Sequence, residues 1–397
     1  MKLFKSFLVA PAALGLIAPM SANATEVNLN EISNYSDVES IEFANSFNND
    51  KSTLNPLLAG GEGLVDDHSH DDGSFSETTT ASFSADFYVG ATDTDDGSTT
   101  ADDKDDSIMA GYGFQIDLNT SFTGEDSLDI SIDGGNASGA GYAEFDGNAT
   151  SDYLKLDGVS YTFPVGGVTA FVGDNTDGSL LFTTACVYGG PSNTLDDCGN
   201  VFAGITGGAL SAGASYDFGN GFTAATGLQT STTGVLTVES NDSIAFNVAY
   251  TSDSYGVSLA WADIEGITTG VNETTVYALN AYYVPEADGM PSISVGYESA
   301  ESEIPSYGTA DTDSSGWFVG LSWDEVGPGT AGIAVGTKQH TLDQPGEANE
   351  EMLMYEAYYA YPVNDGMTIT PLVFMKENAV TGTDDETGAM VKTSFSF

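Results

Sequence analysis

Apolar and polar side chains alternate along the chain from Thr79 onward, in segments of about 8 to 12 residues. In the clearest segment, one face carries large apolar side chains and the other carries small ones: Tyr255, Val257, Leu259 and Trp261 against Gly256, Ser258, Ala260 and Ala262. A period of two residues is that of a β-strand whose two faces meet different surroundings. The pattern therefore predicts an all-β chain of strands that are apolar on one face and wet on the other.

The connections between these segments distinguish a soluble β-sandwich from a transmembrane β-barrel. Short turns are predicted at 120–125, 164–166, 219–220, 252–253, 285–290, 324–330 and 362–366. Longer acidic loops alternate with them at 91–107, 134–151, 175–207, 231–242, 263–273, 299–314, 339–350 and 377–387. Outer-membrane barrels show this rhythm, with tight periplasmic turns and long extracellular loops. We expect a transmembrane antiparallel β-barrel of about sixteen strands, within a range of roughly 14 to 18, which leaves room for an aqueous lumen.

The first residues carry an export signal. Residues 1–24 have two lysines, then an apolar run, then Ala-Asn-Ala, which is the pattern of a cleaved secretory signal peptide. Residues 25–78 lack the alternation and predict a periplasmic N-terminal extension. The barrel is therefore expected to span 79–397.

The last predicted strand carries an assembly signal. It alternates through Phe395 and ends at Phe397. An amphipathic final strand that ends in Phe resembles the signal that the barrel-assembly machinery recognises. We therefore expect Phe395 and Phe397 to direct insertion into the outer membrane.

The charge of the chain narrows its partners. It has 59 acidic residues against 8 Lys and no Arg, for a net charge of −51 at pH 7. Such a charge argues against nucleic acid and anionic lipid surfaces as partners, and it would concentrate cations near any opening. An acidic, solvated surface without such a role is the alternative interpretation.

The cysteines Cys186 and Cys198 are 12 positions apart. In an exported protein, a single pair of cysteines predicts a disulfide. The spacing fits no common zinc pattern, and no His lies near either cysteine. We expect a disulfide that closes a ring of about a dozen residues and stiffens the loop that contains it.

If the apolar faces point to lipid, the wet faces line the lumen. Seven acidic residues lie on those faces: Asp86, Asp117, Asp129, Asp133, Asp217, Glu298 and Glu356. The main opposing positive charges are Lys338 and Lys392. Rings of carboxylates favour cations, so we predict weak cation selectivity. Small residues on the same faces, such as Gly320, Ala334 and Gly336, indicate open space in the lumen.

Catalytic and metal-binding patterns are weak. His340 is the only His of the barrel region, and it is interpreted as a solvent-exposed loop residue because one nearby Asp does not make a triad. The acidic run 66–72 contains His68 and His70, which could hold a divalent metal, but a solvated linker is the favoured interpretation. We expect no enzyme, no cofactor and no metal site.

Several stretches resemble cyanobacterial outer-membrane porins, relatives of the carbohydrate-selective porins that are also called iron-uptake porins. They are 58–64 (LAGGEGL), 115–127 (QIDLNTSFTGEDS), 161–164 (YTFP), 171–190 (FVGDNTDGSLLFTTACVYGG), 196–198 (DDC) and 212–221 (AGASYDFGNG). The resemblance implies a 16-stranded barrel, as a homotrimer, that passes small hydrophilic solutes.

Two departures from this family limit what carries over. Typical members begin with an S-layer-homology module that binds the cell wall, and 32–43 (ISNYSDVESIEF) retains at most a fragment of it. Members also tend to place Arg in the constriction, whereas this chain has none. A preference for sugars or anions is therefore not expected from the resemblance.

In porins, the third extracellular loop commonly folds inward and narrows the lumen. The loop in that position is 175–207, which contains the cysteine pair together with Asp177, Asp196 and Asp197. We therefore expect a porin for passive diffusion of small hydrophilic solutes and ions. The alternative is a non-conducting surface barrel that acts as an adhesin, a receptor or a scaffold binding lipopolysaccharide or divalent ions.

Overall fold

The computed structural model of the chain describes residues 79–93, 108–137, 144, 147–148, 150–231, 241–266, 272–303, 312–343, 351–378 and 385–396. Nearly all of them lie in strands or in the connections between strands. The strands are β1 (Thr79–Asp93), β2 (Met109–Thr120), β3 (Ser127–Gly135), β4 (Lys155–Val165), β5 (Val168–Asp174), β6 (Leu210–Gly219), β7 (Phe222–Thr230), β8 (Asp242–Thr251), β9 (Tyr255–Glu265), β10 (Glu273–Tyr283), β11 (Ser292–Ser302), β12 (Thr312–Val326), β13 (Gly329–Thr337), β14 (Thr341–Asp343), β15 (Leu353–Asn364), β16 (Met367–Lys376) and β17 (Glu386–Ser396).

The strands form one closed antiparallel barrel. Each long strand pairs with the next one along the chain, and β1 also pairs with β17, from Ser84 opposite Ser396 to Asp93 opposite Thr387. The three-residue β14 adds a short pairing to β12, so the barrel has sixteen long strands. The predicted fold class and strand number are confirmed. Among the residues that the structure describes, no helix is long and apolar enough to cross a membrane.

The two faces of the strands have different surroundings, as the alternation predicts. On β9, the side chains of Val257 and Leu259 are exposed on the outside, whereas those of Ser258 and Ala260 are buried on the inside. The same alternation continues on β8 and β10. The outer surface of the barrel is therefore apolar, which is the opposite of what water favours for a free surface of this size.

Short and long connections lie at opposite ends of the barrel, which we call the turn end and the loop end. The turn at 220–221 and the turn at 166–167 lie close to their predicted positions. Several strands extend further into the predicted loops; β11 continues to Ser302 and β12 starts at Thr312, inside the stretch 299–314. Hydrogen bonding between neighbouring strands continues there because polar residues that alternate poorly still pair through their backbones.

The turn between β2 and β3 is organised by one carboxylate. Asp126 accepts hydrogen bonds from the backbone N–H groups of Phe122 and Thr123 and from the hydroxyls of Ser121 and Thr123. The hydroxyl of Tyr161 on β4 donates a further hydrogen bond to Asp126 Oδ2 at 2.6 Å. This hydroxyl contributes most to holding the pKa of Asp126 well below its usual range, and the turn's own donors add to it.

Candidate functional site

The long connection between β5 and β6 runs through the interior of the barrel; we call residues 175–209 the inward loop. Its backbone N–H groups donate to inward-facing side chains of successive strands. Gly178 donates to Gln229 on β7, Thr183 to Asn247 on β8, Ala185 to Ser258 on β9 and Val187 to Ser294 on β11. The loop is thus fastened along the wall from β7 to β11, because irregular backbone inside a barrel must find its hydrogen bonds there.

The part of the inward loop that leads back to β6, which we call the returning arm, is held by a buried carboxylate. Glu298 on β11 has no exposed surface, and its two oxygens accept hydrogen bonds from the N–H groups of Phe202 and Ala203 at 2.9 to 3.2 Å. His340 lies behind the carboxylate, with Nε2 2.9 Å from Glu298 Oε1 and Nδ1 3.0 Å from the hydroxyl of Ser314. The ring of Phe202 covers the imidazole edge to face, at 4.5 Å between centroids.

The part of the loop that leads away from β5, which is its other arm, is held by a second buried carboxylate. The hydroxyl of Tyr188 donates to Glu356 Oε1 on β15 at 2.5 Å, and both residues are buried. Burial, followed by the charge of Glu356 and this hydrogen bond, raises the pKa of Tyr188 far above its usual range. The phenol therefore remains a donor to Glu356 throughout the ordinary pH range.

Between these two anchors, apolar side chains of the loop pack on an apolar part of the inner wall. Tyr188, Leu195 and Cys198 contact a group of inward-facing residues on β1, β12, β13 and β15 to β17: Tyr88, Phe318, Ala334, Met354, Tyr358, Leu372, Phe374 and Met390. The expectation of a wet inner face is therefore wrong for this sector. The predicted disulfide between Cys186 and Cys198 is confirmed, and it joins the two arms of the loop next to this packing.

A residue of the preceding long connection also enters the barrel. The carboxylate of Glu144 pairs with Lys376 on β16, and both side chains are buried. Glu144 also accepts hydrogen bonds from the hydroxyl and the N–H of Thr194 on the inward loop, at 3.1 and 3.4 Å. Two connections thus share one buried ion pair against the same wall.

Small residues on the inner face make room for the loop instead of leaving open space. A Cβ at Gly296 would lie 1.8 Å from the carbonyl oxygen of Cys198, and a Cβ at Gly320 would overlap the ring of Tyr188. Asn280 beside Gly296 donates to the same carbonyl at 2.9 Å. The prediction of open space is therefore wrong at Gly320, because the sequence does not show which connection returns into the barrel.

Open space remains on the side of β3 and β4. A cavity of about 630 Å³ separates the start and end of the inward loop from these strands. The wall contributes Asp129, Ser131, Asp157, Gly158, Ser160 and Thr162, and the loop contributes Asn175, Thr176, Asp177, Leu180, Leu181 and Gly207. Three carboxylates thus line one space together with several hydroxyls.

The neighbouring wall, on β17 and β1 to β3, carries the remaining predicted acids. Asp117 accepts hydrogen bonds from Gln115 at 2.7 Å and from Ser131 at 2.6 Å. On the same face, Asp86 lies 3.7 Å from the ammonium group of Lys392. These side chains are half-buried and inward-facing, so a solute inside the barrel would meet carboxylates with one lysine among them.

The other predicted lumen residues lie elsewhere. Asp217 is exposed at the turn end, where it accepts a hydrogen bond from the N–H of Gly219. Asp133, on β3, is buried, and Lys338 is half-buried between β13 and β14. Asp196 and Asp197 are exposed on the inward loop. Phe395 packs edge to face against Phe87, and Phe397 lies outside the described residues.

Three predictions about single residues need correction. Glu298 and Glu356 are not free acids of the lumen, since the inward loop covers both. His340 is not a solvent-exposed loop residue; only 8% of it is exposed. Gln229 and Asn247, which bind the loop backbone, were not predicted from the sequence. Each is a large polar residue on an inner face of otherwise small residues, and that pattern could have indicated a partner inside the barrel. Among the residues that the structure describes, no group of three acids, histidines or cysteines could hold a metal ion.

Comparison with known proteins gives a clear result for the fold. No protein family and no curated protein matches the sequence. Among solved structures, a loop-deletion mutant of the Vibrio cholerae outer membrane protein OmpT superposes with a TM-score of 0.58, at 11% identity, over 81% of this chain and 100% of that one. Pseudomonas putida OprB gives 0.58 at 12% identity, over 81% and 94% of the chains. An anion-selective porin from Comamonas acidovorans gives 0.57 at 14% identity, over 81% and 99%.

These similarities show that the chain has the barrel fold of outer-membrane porins. At such identities they show the fold alone. The resemblance to cyanobacterial porins stays a prediction.

Proposed function

We propose that the protein is an outer-membrane channel through which small hydrophilic solutes and ions diffuse passively, with a preference for cations. The observation that supports this most directly is the inward loop. It narrows the barrel, and beside it lies a cavity of about 630 Å³ whose lining includes carboxylates, hydroxyls and two leucines. A polar passage inside an apolar outer surface is the arrangement of a barrel that conducts water and solutes.

The cation preference follows from the charges that face the passage. Asp129, Asp157 and Asp177 line the cavity, and Asp117 lies on the neighbouring strand. Lys392 lies close to Asp86, and Lys155 begins β4 opposite Asp133, so the carboxylates of this wall outnumber its lysines. Carboxylates on a protein wall of low dielectric constant raise the local concentration of cations and disfavour anions. The related Comamonas porin is anion-selective by its description, and the opposite preference is expected here because this chain has no Arg.

A channel of this kind has a defined orientation in the outer membrane and reaches it by export. The loop end would face the outside and the turn end the periplasm, after removal of residues 1–24 and with 25–78 as a periplasmic extension. Assembly through the barrel-assembly machinery, contacts with outer-membrane lipid and lipopolysaccharide, and a homotrimer are the partners expected of such a barrel. Cross-linking in native membranes, followed by electrophoresis without heating, tests the trimer.

A non-conducting surface barrel is the second candidate. The apolar packing of the inward loop on β12 to β17 and the buried pair of Glu144 and Lys376 fill a large part of the interior. Such a barrel would act through its acidic loop sequences, as an adhesin, a receptor or a scaffold for lipopolysaccharide and divalent ions.

Single-channel recording decides between the two. The mature chain, refolded in detergent and shown to migrate as a compact barrel before heating, is added to a planar bilayer in KCl. Stable current steps of uniform size are expected. Absence of steps from a folded barrel, while a solved porin refolded in parallel conducts, would contradict the channel and favour the surface-binding role.

A further inference from the structure

Two leucines of the inward loop face the cavity inside the barrel. Leu180 is 44% exposed, although it lies on a loop that is fastened to the inner wall. Leu181 lines the same cavity. An apolar side chain gains nothing from water, and the loop buries Leu195 and Cys198 in apolar packing against another part of the wall. Leu180 and Leu181 thus give the cavity an apolar patch.

Carboxylates line the same cavity from both the wall and the loop. Asp129 lies on β3, with its carboxylate oriented by Asn119 at 2.5 Å and by Ser127 at 2.7 Å. Asp177 on the loop is oriented by the N–H of Gly207 at 2.9 Å. Both carboxylates retain acceptor positions, since an ionised carboxylate accepts about four hydrogen bonds. The cavity therefore combines the fixed negative charge of Asp129 and Asp177 with the apolar surface of Leu180 and Leu181.

We propose that this cavity is a binding subsite for small organic cations that carry an apolar stem, with the n-alkylammonium ions as their simplest representatives. The ammonium group would lie between Asp129 and Asp177, and the methylenes would cover Leu180 and Leu181. The proposal rests on the proposed channel function and names the solute class that the passage favours.

Charge and shape disfavour other solutes at this place. An anion would be repelled by three carboxylates. A neutral sugar could form hydrogen bonds with Ser131, Ser160 and Thr162. Its remaining hydroxyls would then lie against the two leucines, which offer them no hydrogen-bond partner. Full burial of one methylene is worth about fourfold in affinity, and about twofold is expected here because the cavity is open.

The test uses block of the potassium current by methylammonium, n-butylammonium and n-hexylammonium chloride in single-channel recordings. The blocking constant is expected to tighten about twofold with each added methylene. 1-Butanol and 1-hexanol, which have the same stems without the charge, should block at least tenfold more weakly. Equal block by alcohol and ammonium would show a merely apolar surface and overturn the proposal.

Variants locate the effect. The double variant Leu180→Asn, Leu181→Asn is expected to lose the dependence on stem length while it keeps the preference for potassium over chloride. Val201→Asn is the matched control, because Val201 is 45% exposed on the same loop but does not line the cavity. Unchanged stem dependence in the double variant would overturn the assignment. If that variant does not fold, the comparison of ammonium ions with alcohols on the wild type still decides.

Failure of this proposal is distinguishable from failure of the channel. A channel that prefers potassium and shows no stem dependence contradicts only the subsite. If the wild type does not conduct, titration calorimetry of n-hexylammonium chloride against the detergent-solubilised barrel, with 1-hexanol as the reference, measures the subsite without a current. Absence of tighter binding than for the alcohol would then overturn it.

Discussion

His340 Nε2 lies 2.9 Å from Glu298 Oε1, and both side chains are buried behind the inward loop. The same carboxylate accepts the N–H groups of Phe202 and Ala203, so one residue of β11 joins the wall, the imidazole and the loop. A buried carboxylate with this many partners is costly to remove, because each partner is left in a place that water does not reach. The position of the returning arm therefore depends on Glu298.

Glu298→Ala is expected to release the returning arm. The loss of a buried carboxylate with three partners should cost about 2 to 5 kcal/mol, so the loop should leave the wall and the current should fluctuate between levels. Single-channel noise and step size measure this. Glu301→Gln, an exposed residue on the same strand, should leave both unchanged. A quiet, wild-type step in Glu298→Ala would contradict the anchoring role.

Tyr188→Phe is expected to destabilise the barrel by about 1 to 3 kcal/mol at neutral pH, because it leaves the buried oxygen of Glu356 without its donor. The pKa of Tyr188 is raised above its ordinary value of 10.0. The stabilisation is therefore fully present below pH 10 and falls as the pH rises toward the raised value. Unfolding in denaturant, followed for both proteins from pH 7 into the alkaline range, should show a difference that shrinks only above pH 10. A difference that disappears below that pH would be inconsistent with this bond.

Gly296→Ala is expected to push the inward loop from the wall, since the added Cβ would lie 1.8 Å from the carbonyl oxygen of Cys198. Backbone at this position cannot yield without breaking the bond from Asn280. The conductance should change while the barrel still folds. Gly189→Ala is the control on the loop itself, because a Cβ there meets nothing within 4 Å. Equal conductance of Gly296→Ala and wild type would show that the loop adapts.

Asp126→Asn is expected to lower the unfolding temperature at neutral pH, since the amide cannot accept all the donors of the turn and of Tyr161. The pKa of Asp126 is lowered, so its stabilisation is present above the ordinary carboxyl range and is lost as the pH falls through the lowered value. Heat-dependent migration at several pH values should show the gap between variant and wild type closing only in strong acid. Glu125→Gln, on the exposed neighbour, should show no gap at any pH.

The strands could be predicted from the sequence because their period is local. The alternation at 255–262 reports the two surroundings of β9 directly, and the short and long connections give the barrel closure. The count of sixteen followed from these patterns without any long-range contact.

The lumen could be predicted only in part, because the sequence does not show where a connection goes after it leaves its strand. Gly320 and Gly336 predict space on the inner face, but the space holds Tyr188 and Leu195 of the inward loop. For the same reason the sequence predicts an exposed His340, between β13 and β14, although Phe202 covers it. A pore-lining role for acids such as Asp117 and Asp129, which follows from the alternation of their strands, stays a prediction.

The charge of the passage beside β1 to β4 sets the expected ion preference, and a reversal potential measures that preference directly. Under a tenfold KCl gradient, the wild-type channel should show potassium passing more readily than chloride. Replacement of Asp117 and Asp129 by Asn should reduce that preference, whereas replacement of the exposed Asp313 on β12 should not. A wild-type channel that passes chloride as readily as potassium, or more readily, would contradict the account.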